Sequence, residues 1–269
     1  MVINYDKLLQ VAMDEFNAEL DYSFSLDNVV LRCFTPKNGK AVYDAFLAEF
    51  GFAGEQVTEE YFYTIRGEAF TYGKRGGSDV SGILLRKDTD LSERGIFHIL
   101  LHELSHIFCA KEEIPRGHFY DRYCMGSQET AEDRIADGYM NAGYAIWREL
   151  AAETVATSID FRPAYSLSDI GGNIESDVRE LHAGNPAAKA VMVNLLTDVI
   201  FSRDYDAGKW ERTESALQKM GIPFCGTIKK VAAQLRKRPY DCITPEFVSG
   251  LGETYLTELT RHTLELMNL

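Results

Sequence analysis

The chain has 269 residues, 45% of them hydrophobic and 26% charged, which supplies apolar surface for a substantial core and excludes a disordered class. Its 41 acidic and 28 basic side chains leave a formal net charge of −13, which argues against nucleic acid or an anionic membrane surface as partner. No stretch approaches the roughly 20 apolar residues of a bilayer span, and the first residues, Met1 to Lys7, lack the basic and apolar regions of a signal peptide. Cys33, Cys109, Cys124, Cys225 and Cys242 are odd in number and form no CxxC pair, so reduced thiols and a cytoplasmic location are expected.

Along the chain, residues 4–20 and 39–50 carry apolar positions at helical spacing, while 29–34, 61–65 and 80–85 read as strands. A helix then follows Asp90 or Ser92, either of which can cap it, Asp90 with Glu93 in capping-box spacing. Ile96, Phe97, Ile99, Leu100, Leu101, Leu104, Ile107 and Phe108 make this helix apolar on nearly all sides, which predicts a buried position. Segment 111–142 is rich in acidic residues, and 143–156 is a second strong helix with small alanines. After Pro163 the pattern predicts helices over 173–182, 186–202, 208–220 and 226–237, and two more after Thr244-Pro245. The expected class is α+β and predominantly helical. It comprises a small N-terminal sheet and a central functional helix within residues 1–160, then a helical extension or subdomain over 161–269.

The central helix holds His102-Glu103-Leu104-Ser105-His106, an HExxH sequence. On a helix the two histidines are offset by only about 40° and about 6 Å, so both imidazoles can reach one metal ion. Burying two imidazoles and a carboxylate is costly unless they have partners, and a metal with its bound water satisfies all three. His98 lies one turn earlier on the same face and reads as a histidine packed beneath the site, because catalytic zinc keeps an open position. In a metzincin the motif would continue with Gly and His, but those positions hold Cys109 and Glu112. A third ligand from the second helix fits better, where Glu149 and Glu153 share a face; one would bind metal and the other accept the outer N–H of a ligand histidine. Glu112, Glu113, Glu129, Glu132, Asp133 and Asp137 supply other carboxylates near this helix in sequence, one of which could replace Glu149 as ligand; the favoured reading of them is a solvated acidic face.

The run SGILLRKDTDLSERGIFHILLHELSHIFC, followed by WRELAAETVA, resembles the ImmA/IrrE family of zinc metallopeptidases over roughly residues 79–156. That resemblance implies a zincin-like core with zinc held by His102, His106 and Glu149, and Glu103 as the catalytic glutamate. Glu153 stands where the family has Asp or Asn, and Ala152 and Ala156 match its small residues. Thermolysin-like gluzincins share the spacing of a Glu followed by an acid. The chain departs from the family pattern in Ser105 for Gly, in a longer interval between the motifs and in having no evident helix-turn-helix domain.

The chemistry expected of such a site is peptide-bond hydrolysis. Zinc brings the pKa of its water to about 7, and Glu103 takes the water's proton and delivers it to the leaving amine. Tyr139, Tyr144, His118 and His182 are candidates for a second donor to the developing oxyanion. Strand 80–86, just before the metal helix, is expected to lie at the cleft edge, with Gly82 and Ile83 against an extended peptide or protein substrate. Two other functions use the same residues: a zinc amidase for a non-protein substrate, and a metal-binding interaction protein with a structural or vestigial site. An intact Glu103 argues against the last, since a structural site has no use for a general base.

Overall fold

The computed structural model describes residues 3–87, 91–125, 130–160 and 243–267. Its class is α+β, mainly helical, with one three-stranded sheet. The chain divides into two compact units, Met1–Ile114 with Val155–Phe161, and Pro115–Thr154 with Arg162–Leu269. The sequence-based boundary at 160 adjoins residues 161–242, which lie outside the described residues, as do the four helices expected there.

In the first unit, helix α1 (Tyr5–Leu20) starts where the Asn4 side chain accepts the Lys7 N–H, and it buries Leu9, Ala12, Met13 and Phe16 on one stripe. Strand β1 (Val29–Phe34) leads through a short 3-10 turn into α2 (Gly39–Phe50), which ends at Gly51 in the left-handed region, φ 66°. The apolar run at 61–65, expected as a strand, is instead a single helical turn, α3 (Tyr61–Thr64). Phe62 is fully buried in the core, and a run this short carries no periodicity that separates strand from helix. The strand lies just beyond, as β2 (Gly67–Arg75), and turns through Gly76 and Gly77, both at positive φ, into β3 (Ser78–Arg86). A register shift between Phe70 and Gly73 marks a bulge in β2, with Tyr72 at φ 64° and its hydroxyl donating to the Ala110 carbonyl at 3.0 Å.

The sheet order is β1-β3-β2, with β3 parallel to β1 and antiparallel to β2. The strand expected at the cleft edge is therefore the central one, and every residue from Val80 to Leu85 is buried. Ile83 is fully covered, and a Cβ on Gly82 would strike the rings of Phe46 and Phe52. Gly82 thus serves close packing against an aromatic core rather than approach of a substrate. That core gathers Tyr43, Phe46, Phe50, Phe52, Phe62 and Phe70, several meeting edge to face, over one side of the sheet. Helix α4 (Glu93–Lys111) packs against β2, β3 and α1.

In the second unit, a π-helical turn (Tyr120–Cys124) precedes α5 (Ala131–Ile159), whose last residues belong to the first unit. Thr130 and Asp133 cap α5 reciprocally: the Thr130 N–H donates to the Asp133 carboxylate at 2.9 Å and the Asp133 N–H to the Thr130 hydroxyl at 3.0 Å. The helix expected at 143–156 thus begins twelve residues earlier. The two helices expected after Pro245 are one, α6 (Pro245–Met267), capped by the Thr244 hydroxyl. Gly143 of α5 lies on the Val248 and Gly252 backbone of α6, where a Cβ would collide with main chain, while Gly138 of the same helix has open space. Gly143→Ala should lower stability by about 1–3 kcal/mol through overpacking, and Gly138→Ala should raise it by up to about 1 kcal/mol; denaturant midpoints of the two variants check this.

Candidate metal centre

Helix α4 begins at Ser92, whose hydroxyl accepts the Gly95 N–H at 3.2 Å, so the second of the two expected caps is in place. Its buried residues include Ile96, His98, Leu100, Leu101, Glu103, Leu104, Ser105 and Ile107, which run round almost the whole circumference. Ser105 is fully buried, and its hydroxyl is satisfied by the Leu101 carbonyl at 2.7 Å.

The half-buried His102 and His106 bring their Nε2 atoms to 3.1 Å, with ring planes at 80°. A ligand nitrogen from each and a carboxylate oxygen of Glu149 all lie within 4.8 Å of one another, so these three residues could hold a metal ion. Two ligands at 2.0–2.1 Å from one tetrahedral ion are about 3.4 Å apart, close to the separation of the two imidazole nitrogens. The donor set, two imidazoles and one carboxylate, is one that suits zinc among divalent ions and leaves coordination positions for water.

Glu103 is 6% exposed and its carboxylate lies against the start of β2. A Cβ on Gly67 would sit 2.5 Å from Glu103 Oε1 and 2.9 Å from Ile99, so glycine at the start of β2 is what lets the carboxylate lie against the strand. Sequence reasoning missed Gly67, although a glycine opening a strand is a signal of close approach. It also missed Glu68, a carboxylate near Tyr61 that burial pushes up to about 7.

Among the described residues His98 is not in the ligand cluster; its Nδ1 lies 4.0 Å from an oxygen of Asp160, and Arg94 bonds the other Asp160 oxygen at 2.9 Å. Glu153 is half-buried one turn beyond Glu149, and Ala152 and Ala156 are fully buried. Of the four oxyanion candidates, Tyr144 stacks on Phe119 and Trp147, His118 is exposed beside Asp121, Tyr139 is half-buried, and His182 lies outside the described residues. Asp133 is used as a cap, and neither Glu112, Glu113, Glu132 nor Asp137 joins the cluster; Glu129 is outside the described residues. Burial raises the thiols of Cys33 and Cys124 to about 11, which makes them poor nucleophiles. No helix among the described residues is long and apolar enough to cross a membrane.

Comparison with known proteins finds no family model, curated protein or solved structure that matches the chain.

Glu149 belongs to the cluster and Glu153 does not. Glu149→Ala should abolish stoichiometric metal binding, whereas Glu153→Ala should weaken it about 10–100-fold, the effect of losing a group that orients a ligand. Elemental analysis and metal titration of the two variants check this, and the opposite order would exchange their roles.

Proposed function

We propose that this protein is a zinc-dependent metallopeptidase with a zincin-like core of the gluzincin type, related in its motifs to the ImmA/IrrE peptidases. The observation that carries the reading is the convergence of His102, His106 and Glu149 while Glu103, set between the two histidines in sequence, is buried beside Gly67. Bound there, zinc would polarise the scissile carbonyl and bring its water to a pKa of about 7. Glu103 receives the proton of the attacking water and returns it to the leaving amine. Its burial against backbone removes competing solvent and holds its carboxylate in one orientation, the positional requirement for proton transfer.

An extended substrate has a main-chain partner in β2 rather than in β3. The Arg86 N–H donates to the Arg66 carbonyl at 2.9 Å, so Arg66, Glu68 and Phe70 turn their amide groups toward β3. Alternation then directs the N–H and C=O of Gly67 and Ala69 outward, along an edge that pairs with no strand among the described residues. A peptide added to this edge runs beside Glu103, which favours a peptide over a compact non-protein amide. The role expected for Gly82 and Ile83 passes to Gly67 and Ala69.

Glu103→Gln should reduce peptide hydrolysis about 10²–10⁴-fold with metal content unchanged, and retained activity would overturn the mechanism. Gly67→Val should impair hydrolysis in the same way, since its side chain displaces the Glu103 carboxylate while leaving the three metal ligands untouched; loss of metal instead of activity would show that Gly67 only supports the helix.

A further inference from the structure

The bulge in β2 places one side chain against the pattern of the strand. Phe70 belongs to the aromatic layer, and a Cβ on Gly73 would meet the Phe52 ring of that same layer, so two residues three positions apart share one face of the sheet. In an unbroken strand Tyr72 would share the face of Phe70 and enter that layer. The extra residue between Phe70 and Gly73 turns it instead to the face of α4, where its hydroxyl donates to the Ala110 carbonyl at 3.0 Å. The placement is costly. Tyr72 has φ 64°, a left-handed conformation that glycine adopts freely and tyrosine does not, and its ring is 68% exposed, so little burial is gained in return. One exposed hydrogen bond is a modest compensation. That bond does, however, hold the ring still. An exposed aromatic surface whose orientation is already fixed loses little entropy when another side chain packs on it, the condition for a selective contact.

We propose that Tyr72 is a specificity-determining residue whose ring receives an apolar side chain of an extended peptide substrate. The inference rests on the peptidase reading, since the strand that carries Tyr72 is the one whose edge the substrate would join. Gly67 and Tyr72 both face α4, Gly67 at Glu103 and Tyr72 at Ala110. A peptide on this edge with its reacting bond beside Glu103 therefore presents its side chains on that face to Tyr72 farther along, as cross-strand neighbours. At about 3.3 Å per residue, with one residue taken up by the bulge, Tyr72 lies about 13 Å from Gly67 along the strand, the span of about four substrate residues. The hydroxyl is committed to Ala110, so what the substrate meets is the face of the ring. Lys74, paired with Asp79, and Arg75 follow directly and are both exposed, which disfavours a cationic side chain at this point and leaves an apolar one.

The test is a random peptide library offered to the metal-loaded full chain, with cleavage products of the wild type sequenced and, in parallel, peptides retained by the Glu103→Gln variant identified. Wild type should enrich Phe, Tyr and Leu about tenfold over Ser and Lys at one position about three to five residues from the cut. Tyr72→Gly should lose that enrichment and no other, with a denaturant midpoint unchanged or raised because glycine relieves the left-handed strain. Tyr72→Phe, which keeps the ring and gives up its tether, should keep the same preference at a smaller ratio. Cleavage with no apolar enrichment at those positions, or an enrichment that Tyr72→Gly retains, would overturn the role of Tyr72 and leave the peptidase reading standing. Apolar-selected retention by Glu103→Gln that the added Tyr72→Gly change abolishes, without cleavage by the wild type, would uphold the ring contact and overturn hydrolysis. Neither cleavage nor retention would overturn both.

Discussion

A helix covered on nearly every side must account for each polar group it carries, and that constraint organises the first unit. Helix α4 takes into the interior the hydroxyl of Ser105, the imidazole of His98 and the carboxylate of Glu103, with two more imidazoles half covered. Each has an answer of a different kind. Ser105 turns back on its own helix, and His98 faces Asp160, which is in turn engaged by Arg94. The paired nitrogens of His102 and His106, and the Glu103 carboxylate beside a glycine, are answers that structural economy alone does not require. An apolar core would be cheaper without them, so packing alone does not account for their presence.

The position of Glu103 depends on elements remote from it in sequence. A Cβ on Gly67 would meet the Glu103 carboxylate, and that glycine opens β2, which lies at one side of the sheet among the described residues. The aromatic layer of Tyr43, Phe46, Phe52 and Phe62 fixes the sheet from the far side, and close approach at Gly82 lets those rings press onto the strand. Packing on one face of the sheet thereby sets the geometry on the other, through a backbone only one strand thick.

What could be read from the residues was what local chemistry determines. The Ser92 cap, the HExxH spacing and the pair of glutamates on a later helix are local patterns, and His102, His106 and Glu149 do come together. The arrangement of the sheet was not legible in the same way. Val80-Ser81-Gly82-Ile83-Leu84-Leu85 lacks the alternation of a half-exposed strand, and its continuous apolar character was the available sign of a strand covered on both faces. Strand β2 was hidden because its residues mix charge, glycine and aromatics, although the Gly76-Gly77 pair marked the hairpin that ends it. The burial of Glu68 had no local sign at all, since it arises only when α2 and α3 settle on the sheet.

The bulge at Tyr72 has a consequence for how the protein avoids itself. An unpaired strand edge is a template for any other extended chain, including the sheet of a second copy, and long straight edges lead to aggregation. Here the regular pairing runs from Gly67 to Phe70 before the register breaks, and Tyr72 is fastened by its hydroxyl to the end of α4. Past the bulge come the charged Lys74 and Arg75, both exposed. Among the described residues this edge is short and bent, which keeps it from nucleating a continuous ladder between molecules.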